Sequence, residues 1–288
     1  MEQVLLTGIT NGAIYALIAI GFVIIYNVTG IINFAQGQFT MLGAMIVISL
    51  SAMGINIILS SVITIITVVI IGVLFYRLTL YPLRDNKNIL TTIMVTMGVG
   101  MVISGISLVV WGTGTRSLPP FTKGESIPIF KASITPQDLW IIGVCVIAIL
   151  GIFYLFDKTY FGISIRACMS NVRASKFMGI PTERMAMMSF ALSAGLGALA
   201  GIVMAPATFA QYDMGMMLGL KGFVAAVLGG LTGAPAAIVG GFALGIIESL
   251  GAGYISSGYN DFIAFAALIV IMIFLPSGIL GKNLQKKV

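Results

Sequence analysis

The sequence predicts an all-α fold: a polytopic helical membrane protein of about eight membrane segments, including Gly-broken or re-entrant helices, arranged as a pseudo-repeat of two halves. Three observations predict it. Apolar runs of about 18 residues or more, the length that crosses a hydrocarbon core about 30 Å thick, recur from one end of the chain to the other. Of the 288 residues 59% are hydrophobic and only 8% charged, with a mean hydropathy of +1.10, which leaves a soluble fold too little polar surface to cover itself. Glycine is abundant, at 35 residues, and breaks an apolar run once in each half. The whole chain, 1–288, reads as a single transmembrane domain.

The first run, 4–27, begins at once with Val4 and has neither a basic leading region nor a small-residue cleavage site, so it reads as a retained membrane helix. The second, 31–52, is entered through "NVTGIINFAQGQF", residues 27–39, where Gly30 and Gly37 interrupt the apolar pattern. Runs 56–77, 89–111, 138–156 and 185–207 follow. Within 222–254, "FVAAVLGGLTGAPAAIVGG" sets Gly229, Gly230, Gly233 and Pro235 inside an apolar stretch. Glycine costs about 1 kcal/mol and proline about 3 kcal/mol in a helix interior, so a bent pair, one half-helix descending and one helix returning, is expected there. The last run is 259–280. Backbone opened at membrane depth is tolerated only where protein or a water-filled cavity satisfies it. One broken segment in each half is the pattern of transporters built from repeats, and it points to a pathway between the halves. Close packing of small residues is the competing reading.

Charge asymmetry orients the segments. Arg77, Arg84 and Lys87 share one loop, Lys158, Arg166, Arg173, Lys176 and Arg184 share another, and Lys282, Lys286 and Lys287 close the chain; all three segments are expected on the cytoplasmic side. The loop 112–138 and the N terminus, with Glu2 and no nearby cation, fall outside. Eight full crossings cannot separate the two termini in this way, so 222–254 is expected to re-enter rather than cross. The formal excess of +6 is explained by this orientation, and no aromatic-interleaved basic patch suggests nucleic acid.

Enzymatic readings fail on missing residues. The absence of histidine excludes a Ser-His nucleophile and an H-E-x-x-H zinc site, and no G-x-x-x-x-G-K-[ST] is present for ATP hydrolysis. Asp213, Glu248 and Asp261, the acids in or beside the last segments, form no paired site by spacing. Cys145 and Cys168 lie too far apart in membrane depth to pair, and no metal-ligand spacing occurs. Neither catalysis, nor a metal, nor a cofactor bound by this chain is expected.

Polar residues inside the apolar runs are more informative. Asn11, Asn33, Gln36 and Gln38 each need a partner at depth, either as interhelical hydrogen bonds or as the lining of a translocation path. Gly229, Gly230 and Glu248 join them as path candidates. A buried carboxylate would mark function, but if 236–254 returns to the outer face, Glu248 is solvated near the interface, and that placement is the expectation.

The basic segment "RACMSNVRASKFMGIPTERM", 166–185, divides into parts. Asn171 can cap a short helix over 172–178, Gly179 can take the left-handed position after it, and Pro181 prevents continuation. Arg173 and Lys176 share one face, while Val172, Phe177 and Met178 offer apolar surface. So short a helix is marginal alone. It rests either on lipid headgroups or in another protein.

"NGAIYALIAIGFVIIYNVTGIINFAQGQFTMLGA", "RACMSNVRASKFMGI", "FALSAGLGALAGIV" and "AAVLGGLTGAPAAIVGGFALGIIES" together resemble the permease subunits of branched-chain amino acid ABC importers, in order and over nearly the whole chain. The resemblance implies a permease domain in a bacterial or archaeal cytoplasmic (inner) membrane, surrounded by lipid and paired with a second homologous permease. Two ATP-binding-cassette ATPase subunits would use ATP below it, and an extracytoplasmic binding protein would deliver leucine, isoleucine or valine. It also implies that 157–184 is the cytoplasmic coupling loop. Arg166, Asn171, Val172, Arg173, Ala174, Phe177, Met178 and Gly179 would then seat on an ATPase, although many relatives carry an acidic residue where this chain has Arg173. Sister permeases that move urea, short amides or other amino acids share these motifs. A channel or secondary transporter working alone is the alternative of a different class.

Overall fold

The computed structural model describes residues 1–83, 88–129, 132–254 and 256–281. At its centre α1 (Glu2–Thr29) is buried along most of its length and ends where Gly30, at φ +71°, donates its N–H to Tyr26 O at 2.7 Å. Only a residue that accepts the left-handed region closes a helix this way at no steric cost. α2 (Gln36–Ala52) follows, then α3 (Ile57–Phe75), started by the Asn56 side chain and extended through a wider π-type turn to Leu80. α4 (Ile89–Trp111) is capped by Asn88. A short antiparallel hairpin, β1 (Ile127–Ile129) and β2 (Ala132–Ile134), precedes α5 (Pro136–Lys158), whose Thr135 and Asp138 form a reciprocal capping box. The remaining helices are α6 (Tyr160–Ser170), α7 (Val172–Phe177), α8 (Thr182–Met204), α9 (Met214–Gly229), α10 (Ala234–Tyr254) and α11 (Asn260–Phe274).

Six of the described helices are long and apolar enough to cross a membrane, and α2, α9 and α11 are shorter apolar helices. Each expected span finds its helix, including the bent pair. The outer faces of α3, α4, α5 and α11 expose Ile66, Ile70, Val109, Ile147 and Ile273, a surface suited to lipid rather than water. The interior is held by small residues. α1 and α10 lie antiparallel, with Gly8 and Gly12 on one and Gly241 and Gly245 on the other, and a Cβ on Gly12 would fall 2.8 Å from Phe242 Cα. Glycines four apart let two backbones touch where apolar lipid supplies no hydrophobic drive of its own.

Two of these shorter helices, α2 and α9, one from each half, begin inside the bundle. The Gln36 side chain bonds to Ser193, about 16 Å along α8 from its start, and Gln38 meets Ser104, about 22 Å along α4. Chain 30–35 therefore climbs without helical structure before α2 starts. α9 begins at the same level: Gly215 abuts Gln38, and a Cβ on Gly37 would lie 2.6 Å from Gly219 Cα.

Three features depart from the sequence reading. α9 starts at Met214 rather than at 222 and carries Lys221 inside it. The opening at the other end of α9 is closed by protein: Ile279 and Leu280 donate their N–H groups to Leu228 O and Gly229 O at 2.8 and 3.1 Å. α6 and the β-hairpin lie where only loops were expected. Arg84, Lys87, Lys282, Lys286 and Lys287, invoked for orientation, lie outside the described residues.

Candidate functional site

A cavity of about 250 Å³ lies where the heads of α2 and α9 meet the middle of α4. Its polar groups are Gln38, Ser104 and Asp213. Gln38 is 4% exposed, and its Oε1 accepts a hydrogen bond from Ser104 Oγ at 3.2 Å. Its Nε2 donates to nothing among the described residues. Asp213 occupies the N-cap of α9, yet its carboxylate makes no capping bond and stays exposed. Phe34, Met97, Met101, Met216 and Leu220 supply the walls. A free amide donor, an uncommitted carboxylate and an apolar wall can together receive a small amphipathic solute; larger ligands occupy about 300–1,000 Å³.

The other polar candidates go elsewhere. Gln36, fully buried, donates from Nε2 to Ser193 O at 3.0 Å and accepts from Ser193 Oγ at 2.6 Å, an interhelical tie between α2 and α8. Asn33 accepts the Ala35 N–H at 3.1 Å and holds the turn before α2, while its buried Nδ2 has no partner. Asn11 is half-buried and lines a separate cavity of about 270 Å³ with Thr7, Glu248 and Ser249. Gly229 and Gly230 line neither cavity. Gly230 has φ +106°, and a Cβ there would lie 2.8 Å from Gly281 N.

Glu248 is not solvated at an interface. Close packing of α10 on α1 turns it inward, where it is 4% exposed, accepts from Tyr15 Oη at 2.6 Å and pairs with Lys221 Nζ at 2.5 Å. Lys221 also reaches Asp261 at the head of α11 at 2.8 Å and lies 5.9 Å from the Tyr15 ring centroid. One network thus ties α1, α9, α10 and α11. A buried charge this well paired costs less than an isolated one, and loss of one partner leaves the other stranded. Lys221 escaped the sequence reading, and the signal was a lone lysine in "LGLKGF" just before an otherwise apolar run.

The basic segment folds as two helices. Arg166 lies in α6 and pairs with Asp157 at 2.6 Å on the surface. In α7 the Asn171 side chain accepts the Ala174 N–H at 3.0 Å. At the far end the Ile180 N–H reaches Ser175 O at 3.0 Å and Gly179 stands at φ +82°, a Schellman closure. Ser175 is the anchored residue; Arg173, Ala174 and Lys176 are exposed, Val172 is exposed at the start, and Phe177 and Met178 are 91% and 82% exposed at the end. The result is a rigid, capped turn presenting an apolar knob within a cationic surround.

The sequence profile described as "Branched-chain amino acid transport system / permease component" matches residues 4–272. The chain is 32% identical to the high-affinity branched-chain amino acid transport system permease protein LivH of Salmonella typhimurium, over 99% of this chain and 97% of that one. It is 30% identical, with the same shares covered, to BraD of Pseudomonas aeruginosa, which carries the same description. Among solved structures, PsaBC from Streptococcus pneumoniae in complex with Fab aligns with a TM-score of 0.51 and 12% identity, covering 100% of this chain and 95% of that one, which is a likeness of fold. The chain belongs to the branched-chain amino acid transport system permease family and is a multi-pass permease of the cytoplasmic membrane.

Proposed function

We propose that this chain is the membrane-spanning subunit of an ATP-binding-cassette importer that moves leucine, isoleucine and valine into the cell. It pairs with a second homologous permease, receives solute from an extracytoplasmic binding protein, and is driven by two ATPase subunits that hold and hydrolyse the ATP. Segment 157–184 is the cytoplasmic coupling loop, and α7 is the part that seats on an ATPase.

The observation that carries the coupled reading is the state of α7. A six-residue helix capped at both ends, with Phe177 and Met178 almost fully exposed, is held in shape for an occupant not present in the chain itself. A channel or secondary transporter working alone has no use for it. A helix lying on lipid would spread its apolar residues along one face, whereas here the two barest, Phe177 and Met178, project from the C-terminal end and Val172 is exposed at the other. The relatives' substrate supports the choice of solute. The path is proposed to run by Gln38 and the heads of α2 and α9, with Asn33 and Gln36 shaping the broken segment behind it.

The test is ATP-driven uptake by proteoliposomes holding this permease, its partner permease, both ATPases and the binding protein. Import of leucine, isoleucine or valine is expected. Selective uptake of urea or short amides would transfer the chain to the sister permeases, and uptake by this chain alone without ATPases would refute the coupled reading.

A further inference from the structure

Resting on that reading, we propose that the cavity between the heads of α2 and α9 is a solute-binding subsite that selects aliphatic α-amino acids as zwitterions, with Asp213 receiving the ammonium and the Gln38 amide the carboxylate. The permease then adds a selection step of its own instead of passing whatever is delivered to it.

Three independent features converge on this ligand. Asp213 holds an N-cap position without capping and has no ion-pair partner among the described residues, so an acceptor of full negative charge is left facing a cavity. An acid at a helix head normally satisfies an N–H there, and one that does not is available to a cation. Gln38 is the second feature. More than nine-tenths buried as a residue, it spends its oxygen on Ser104 and leaves its N–H₂ as a free donor on a residue lining the same cavity, one from which a carboxylate can accept. The head of α2 adds its partial positive charge on that side, since its N-cap is Ala35 and no side chain neutralises it. Broken helices whose heads meet at membrane depth use this field to receive anionic groups. The third feature is the wall. Met97, Met101 and Met216 are unbranched and polarizable, so they can repack around leucine, isoleucine or valine without being cut to any one of them.

The same chemistry excludes other solutes. Urea has no charge to set against Asp213. A carboxylic acid without an amine would set like charges together at Asp213, and an amine without a carboxylate would leave the Gln38 donor unmatched.

Two measurements test the subsite on the complete reconstituted complex. In uptake, Asp213→Asn is expected to lower leucine import at least tenfold with all subunits still co-purifying. Equal import by wild type and Asp213→Asn would overturn the subsite and leave the permease reading standing. A wild type that imports no amino acid would instead refute the permease reading. The second measurement needs neither binding protein nor ATP. In a Met216→Cys complex, leucine at tens of millimolar is expected to slow maleimide labelling of the new thiol, while 4-methylpentanoate and 3-methylbutylamine at the same concentration do not. No protection by leucine, or equal protection by all three, overturns the proposal, even where Asp213→Asn fails to assemble.

Discussion

Replacing Lys221 with methionine separates a structural charge network from a solvated one. Methionine keeps a flexible apolar stem and removes the ammonium, leaving Glu248 with only Tyr15 as a polar partner. The side chains of Glu248 and Asp261 are 5% and 52% exposed, so the two bonds of Lys221 do not weigh equally. The half-exposed Asp261 partner contributes about 0–1 kcal/mol. Removing one member of the buried pair costs about 3–5 kcal/mol, because the remaining carboxylate is left buried without its counter-charge. Lys221→Met is therefore expected to lower the unfolding midpoint by roughly 6–20 °C in a chain of this size. Glu248→Gln should be milder, about 1–3 kcal/mol, since Lys221 keeps Asp261 at 2.8 Å and the new amide oxygen still accepts from Tyr15. The double variant Lys221→Met/Glu248→Gln removes both buried charges and should recover roughly half of the Lys221→Met loss. Size-exclusion profiles after stepwise heating of purified protein in one detergent give the midpoints. A Lys221→Met protein as stable as wild type, or a double variant less stable than Lys221→Met alone, would refute the buried network.

Phe177→Asp should leave the isolated permease as stable as wild type, because that side chain is 91% exposed, yet remove about 1.5–3 kcal/mol of apolar burial from the ATPase seat. ATPase subunits should be lost on co-purification or hydrolyse ATP without uptake, and full retention of both would count against the seat. Gly37→Leu should collapse the yield of folded protein, because any Cβ there runs into the α9 backbone; Gly98→Leu, with open space around it, should not. Comparable yields would disprove the close approach of the two helix heads. Cys168 is buried, and burial pushes its thiol above the ordinary range, opposed in part by the Ser175 hydroxyl. A raised pKa keeps the protonated, unreactive form to higher pH, so native protein should resist maleimide where an ordinary cysteine reacts, and should label after denaturation in SDS.

What the sequence disclosed follows from how local each signal is. The ends of α7 were legible because Asn171, Gly179 and Pro181 act within a few residues of the helix they bound. The apolar helices were legible because membrane thickness fixes their length. The Lys221–Glu248 pair was not, since its partners stand 27 positions apart and only the packing of α9 and α10 on α1 brings them together. The same packing explains why Glu248, read near the end of its span, is turned away from solvent. α6 was hidden by its charges: Arg166 and the neighbouring Lys158 made the segment read as a loop, while Gly162, Ile165 and Cys168 form a buried stripe at a spacing of three. The glycines at 229–230 correctly marked a break, but the break inside the bundle lies at the other end of α9, where 205–213 carries no comparable glycine signal.

In the proposed importer, α7 is the contact through which ATPase motion reaches this permease. A photo-crosslinking amino acid placed at 177 in the assembled complex tests it most directly, with position 109, an equally bare residue on the face of α4 suited to lipid, as the control. An adduct between position 177 and an ATPase subunit is expected, and only lipid adducts from position 109. Lipid adducts alone from position 177, in a complex that still imports solute on ATP, would contradict it.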